Sequence, residues 1–207
     1  MAAPAPPRLL VLACGALGQE LRWILDTNGM DHVDLQFLTA DLHNRPRDIP
    51  AAVDARLGEI GADYDEVLVG YADCGTGGAL APVLERHGAT MLGGSHCYEF
   101  LAGSERFADL HDAEPGTFYL TDYLLRQFDR LVWRGLGLDR HPQLRDDYFG
   151  NYTRLCWLAQ FPTDDLHLRA QEAADRLGLR LERHDVGTGD LGGQVVAARA
   201  RLPVLAP

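Results

Sequence analysis

The chain contains no lysine: all 19 of its basic residues are arginine. That excludes a Schiff-base nucleophile, a lysine general base and the lysine of a Walker-type phosphate loop. Isoleucine is scarce, and no apolar run nears the roughly 18 residues that span a bilayer, so no membrane-spanning helix is expected. The start, Met1-Ala2-Ala3-Pro4-Ala5-Pro6-Pro7, lacks the basic segment and apolar core of a secretory signal. It reads as a disordered lead-in (1–7), and the expected location is the cytoplasm. There the four cysteines are expected to be reduced, serving as ligands, nucleophiles or core residues and not as disulfides. No C-x-x-C pair occurs, so a compact local zinc motif is absent. Positive charge is also short: 30 acidic residues give a net charge of −11, which disfavours a nucleic-acid partner.

What remains is 46% hydrophobic and 24% charged over 207 residues, the composition of one globular domain. Apolar runs alternate with helical periodicities, which predicts a mostly parallel sheet flanked by helices on both faces, a single α/β domain with the possibility of two similar halves. The domain is expected over residues 8–193, and the Ala/Arg-rich tail 194–207 receives no role. Predicted strands cover Arg8–Ala13, Val33–Leu38, Glu66–Tyr71, Thr90–Leu92, Thr117–Leu120, Thr153–Leu158 and Leu179–Arg183. Helices are predicted between them, including a long amphipathic one from Thr121-Asp122 to Leu136. The Gly-rich stretch 186–193 is predicted flexible.

Three cysteines sit where apolar strands end and tight turns begin: Cys14 before Gly15, Cys74 before Gly75, and Cys97 after Gly93-Gly94-Ser95-His96. In an open parallel sheet, strand ends converge on one crevice, so thiols distant in sequence can meet. Thiolates select zinc, copper(I) or iron–sulfur clusters, and three leave one position open to a ligand. Cysteine is also an ordinary small core residue. Cys156, inside Leu155-Cys156-Trp157, is expected to be that and nothing more. His96 is a candidate fourth ligand or acid–base group, or a plain turn residue. Asp73 is a candidate for orienting a ligand or moving a proton, or a turn cap. The run Gly75-Thr76-Gly77 offers backbone N–H groups to an anion, or is simply a tight turn. Thr121 and Asp122 face the same crevice or cap a helix, and the aromatics of 148–152 cover a pocket or pack.

Three functional classes fit these residues. The first is a metalloprotein in which Cys14, Cys74 and Cys97 bind an iron–sulfur cluster or zinc beside a small molecule. The second is an accessory protein that carries a metal or corrinoid. The third is a metal-free racemase or isomerase using paired cysteines, a scheme that leaves Cys97 idle.

The signatures Ala13-Cys14-Gly15 with Glu20-Leu21, Tyr71-Ala72-Asp73-Cys74-Gly75, and His96-Cys97-Tyr98 with Gly103 resemble, in that order, the prokaryotic family called domain of unknown function 1638. Pro115-Gly116-Thr117 and Leu120-Thr121 follow the same pattern. The likeness spans about residues 8–193. It implies a cysteine-dependent protein linked to one-carbon metabolism, with a corrinoid methyl-transfer protein as a possible partner.

Overall fold

The computed structural model describes residues 7–202, so most of the expected lead-in and the last five tail residues lie outside the described residues. In chain order the first elements are β1 (Leu9–Cys14), α1 (Gly18–Thr27), β2 (Val33–Leu38), α2 (Ile49–Ile60), β3 (Glu66–Gly70), α3 (Ala81–His87) and β4 (Thr90–Met91). Then come α4 (Cys97–Ala102), α5 (Ser104–Ala113), β5 (Thr117–Thr121), α6 (Asp122–Arg126), α7 (Leu144–Phe149), β6 (Arg154–Ala159), α8 (Asp164–Leu177), β7 (Arg180–Asp185) and α9 (Leu191–Ala200). Every strand pair is parallel, as the alternating pattern predicts. The strands form two sheets, one in each of two compact units: one reaches Cys97 and resumes at Asp190, and the other is Tyr98–Gly189.

In the first unit the sheet order is β2-β1-β3-β4. Parallel neighbours need crossover connections, and α1, α2 and α3 supply them. β1 is buried on both faces, which is why Leu9-Leu10-Val11-Leu12-Ala13 reads as an unbroken apolar run. Leu10, Leu12, Val67 and Val69 meet Ile49, Val53 and Leu57 of α2 and Val83 and Leu84 of α3 on one face. On the other side α9 packs against β3, and Gly18 of α1 lies against the Phe37 ring of β2. The chain leaves β1 for β2 on one side and returns to β3 on the other. The order therefore reverses between β1 and β3, the place where open α/β sheets leave a crevice.

The second unit has the order β5-β6-β7. Leu120, Leu155, Trp157 and Ala159 face α6 and α8 in one core. Tyr119, Cys156 and Leu158 form a smaller cluster on the opposite face. Arg154 is only 3% exposed, and its guanidinium lies 3.1 Å from Glu182, 3.5 Å from Glu114, 2.9 Å from Thr117 Oγ1 and 2.8 Å from the Leu110 carbonyl. Burying such a charge is costly even with partners around it, and removing one partner would leave it uncompensated.

Three stretches depart from the sequence-based expectation. The long helix after Asp122 ends at Arg126 and continues as a π-helical segment, Phe128–Trp133, whose Phe128, Leu131 and Val132 stay buried. The wider turn resets the register without moving the apolar face off the core. α5 is unpredicted because none of its side chains is fully buried, which leaves a weak stripe. α9 replaces part of the predicted flexible stretch and tail. Gly192 and Gly193 each disfavour helix by about 1 kcal/mol, yet Leu191, Val195 and Ala198 are completely buried, and that packing prevails.

Candidate functional site

Cys14 is the last residue of β1, Cys74 follows β3 by four residues, and Cys97 opens α4 after β4. All three belong to the first unit and flank its crevice, and each is partly buried. The loops are tied by the Cys74 N–H, which donates to the Ser95 carbonyl at 3.0 Å. No disulfide joins cysteines among the described residues.

Cys74 packs, partly buried, against the core of the first unit. Cys74 has φ +47, the one non-glycine residue with positive φ among the described residues. For a side chain bearing Cβ this left-handed geometry costs about 1–2 kcal/mol, the kind of strain kept at functional positions. The turn that imposes it is clamped by Asp73. Its carboxylate accepts from Thr76 Oγ1 at 2.7 Å, the Gly77 N–H at 3.1 Å and the Gly78 N–H at 2.7 Å. The Thr76 hydroxyl and then the loop N–H groups hold the Asp73 carboxyl below its ordinary range. Asp73 thus positions the loop, and the N–H groups considered as an anion cradle already hold this carboxylate.

The Cys97 thiol donates to Cys74 Sγ and is the main cause that lowers the Cys74 thiol from its ordinary value. Burial opposes this, while the N–H groups of Cys97 and Ala72 assist. Cys14 goes the other way: burial raises it, although the Ala16 N–H and the Tyr71 hydroxyl favour its thiolate. Cys74 is therefore a readier thiolate than Cys14.

Tyr71, which ends the β3 run, is 3% exposed. Its hydroxyl is shut away from solvent with no partner at hydrogen-bonding geometry. Burial raises it first, and all three sulfurs, Cys14, Cys74 and Cys97, raise it further. The one group that engages this buried hydroxyl is the Cys14 sulfur, and the charges of Cys74 and Cys97 also bear on it.

Two histidines complete the cluster. His96 Nδ1 is 3.5 Å from Cys97 Sγ. The His96 ring meets His43 edge-on with centroids 6.4 Å apart. Burial, then the neighbouring His43, lowers His96 to about 4, and burial lowers His43 as well. Both rings are neutral at pH 7 and able to offer a nitrogen lone pair. Tyr71 and His43 were not singled out from the sequence. Tyr71 looks like a strand residue, and His43 sits in a polar 3-10 segment, Ala40–Asn44, at no metal-motif spacing from any cysteine.

Among the described residues, no set of three or more His, Cys, Asp or Glu side chains stands in a metal-holding arrangement. Cys156 is completely buried on β6 and its thiol is pushed up to about 12, chiefly by burial. Thr121 Oγ1 caps α6 at Leu124 N–H, 3.3 Å away. The Asp122 carboxylate accepts from Trp157 Nε1–H at 2.8 Å and the Phe161 N–H at 2.7 Å. Among the described residues, no helix is long and apolar enough to cross a membrane.

No curated protein matches the chain. The family described as "Protein of unknown function (DUF1638)" matches residues 37–193, a span that holds His43, Tyr71, Cys74, His96 and Cys97 and begins after Cys14. With about three quarters of its length inside that match, the chain belongs to this family.

Proposed function

We propose that the first unit binds a thiophilic metal at the β1/β3 crevice through Cys14, Cys74 and Cys97, and presents it to a small molecule. The observation that carries this reading is the buried Tyr71 hydroxyl, which engages the Cys14 sulfur and lies within reach of the charges of Cys74 and Cys97. Zinc stands ahead of an iron–sulfur cluster because of His96. His96 Nδ1, 3.5 Å from Cys97 Sγ, would supply the nitrogen donor that zinc accepts beside thiolates. Cys74 and Cys97 already touch, so uptake asks chiefly that Cys14 close in. Of four such ligands the neutral imidazole is held least tightly beside three thiolates. His96, the one neutral donor of the four, would be the ligand that a small molecule could replace.

The test is anaerobic purification followed by metal and sulfide analysis. One zinc per chain without sulfide is expected. Cys14→Ser, Cys74→Ser and Cys97→Ser should each lose the metal and Cys156→Ser should keep it. Equal metal in all four variants would refute the assignment. Iron with acid-labile sulfide would move the reading to the cluster.

A second reading, a metal-free cysteine enzyme, is favoured by the lowered Cys74 thiol and would be carried by fast alkylation of Cys74 in metal-free, active protein. In a racemase scheme Cys14 would oppose the Cys74–Cys97 pair, since those two touch. The cytoplasm, which keeps thiols reduced, is the proposed compartment. A corrinoid methyl-transfer protein is the proposed partner, on the family resemblance alone.

A further inference from the structure

We propose that Cys74 and Cys97 form a reversible dithiol–disulfide pair that gates this site, an inference that rests on the three-thiol reading above. A disulfide needs two sulfurs that approach without backbone rearrangement. Cys74 and Cys97 suit this condition: the Cys74 N–H to Ser95 carbonyl bond of 3.0 Å pins the Cys74 turn to the segment two residues before Cys97, and the Cys97 S–H and N–H are both directed at Cys74 Sγ. Both residues are partly exposed, so a small oxidant reaches them, whereas Cys156 is completely buried. The Cys14 thiol is engaged by the Ala16 N–H and the Tyr71 hydroxyl and meets Cys74 only through charge.

The oxidant class is a hydroperoxide. The Cys74 thiolate attacks the outer peroxide oxygen, the O–O bond breaks, and hydroxide leaves to give a Cys74 sulfenic acid. The Cys97 sulfur then attacks Cys74 Sγ. The S–S bond forms, the S–O bond breaks, and the thiol proton leaves with the hydroxyl as water. The two thiols supply the two electrons that reduce the peroxide. A dithiol reductant returns two electrons and two protons. In the oxidised form two of the three proposed ligands are tied to each other, and the metal has no site.

The experiment uses the full chain, reduced and stripped with chelator, then treated with one equivalent of hydrogen peroxide. Thiols titrated in denaturant should fall from four to two, with one disulfide-linked peptide pair containing Cys74 and Cys97. Cys14→Ser should lose the same pair. Cys97→Ser should leave a Cys74 sulfenic acid captured by a dimedone-type trap. Retention of all four thiols, or a disulfide through Cys14, would overturn the proposal. Zinc alone is then added to both forms. Uptake should weaken by more than about tenfold on oxidation and return with reductant, because thiolates supply the binding. Equal zinc affinity in the two forms would overturn the gating. A reduced protein that forms this disulfide but takes up no zinc would refute the metal reading and uphold the redox pair.

Discussion

Replacing Gly70 by alanine should loosen the crevice at its base. Gly70 ends β3 directly opposite Ala13 of β1, one residue before Cys14. A Cβ on Gly70 falls 2.5 Å from Ala13 Cβ and 3.1 Å from Ala13 Cα. Carbon atoms in contact prefer about 3.5–4.0 Å, so the strands must part locally by roughly 1 Å. Overpacking of this kind costs about 1–3 kcal/mol. The smaller conformational freedom of alanine in the unfolded chain offsets about 0.4–1 kcal/mol. The net loss is about 1–2 kcal/mol, or a melting temperature lower by roughly 2–8 °C for a chain of this size. Urea unfolding gives the free energy and calorimetry the midpoint. The reciprocal swap, Ala13→Gly with Gly70→Ala, moves the methyl to the other strand and should recover about 1 kcal/mol or more as coupling. The single variant should also take up zinc more weakly, because Cys14 and Tyr71 follow the two displaced residues. Unchanged stability in Gly70→Ala, or no coupling in the pair, would refute the close approach of β1 and β3.

Strain at Cys74 can be measured by comparing Cys74→Gly with Cys74→Ala. Both lack the thiol, and the glycine variant should be more stable by about 1 kcal/mol in urea, because only alanine pays for φ +47; equal midpoints would mean no strain. Alkylation against pH should show the Cys74 inflection below the usual thiol value and that of Cys14 above it, with Cys97→Ala raising the former; the reverse order would contradict the site's electrostatics. Glu182 is lowered to about 2, first by Arg180, then by His184 and Arg154. A carboxylate depressed in the folded state lends stability above its unfolded value near 4.3, and that stability drains away as pH falls toward 2. Urea titrations should show Glu182→Gln flattening this acid limb by ~2 kcal/mol after allowance for screening, and an unchanged limb would count against the pairing.

The sequence carries the fold where burial is two-sided and loses it where packing is not local. β1 and β3 are legible because a strand covered on both faces must be apolar throughout. Their neighbours in space are not: nothing in Thr90-Met91 or Thr117–Thr121 states that β4 closes one sheet and β5 begins another. α9 is hidden by its glycines and stands on three buried contacts made far along the chain. At the site, the places of Cys14 at the end of β1, Cys74 in the turn after β3 and Cys97 after β4 are legible as strand ends. The Asp73 clamp was legible as one of two readings, since an Asp before Gly-Thr-Gly-Gly is a turn former as readily as a proton carrier. His43 was not legible, because only the fold of the loop after β2 turns it toward His96.

The exit ends of the two sheets argue for where the chemistry lies. At the end of β5, Asp122 is completely buried and its carboxylate is met by the Trp157 indole and the Gln160 and Phe161 N–H groups; its own N–H is taken by the Gln160 side chain. Such a carboxylate holds structure and is closed to substrate. At the ends of β1 and β3, the chain keeps a strained cysteine, a buried hydroxyl set against the Cys14 sulfur and two neutral imidazoles. The strained Cys74 turn gains no stability from its geometry, whereas the Asp122 carboxylate is fully engaged. Local rules are broken where function requires it. The same crevice with Cys74 and Tyr71 replaced by residues suited to their backbone should be a more stable protein with no affinity for zinc.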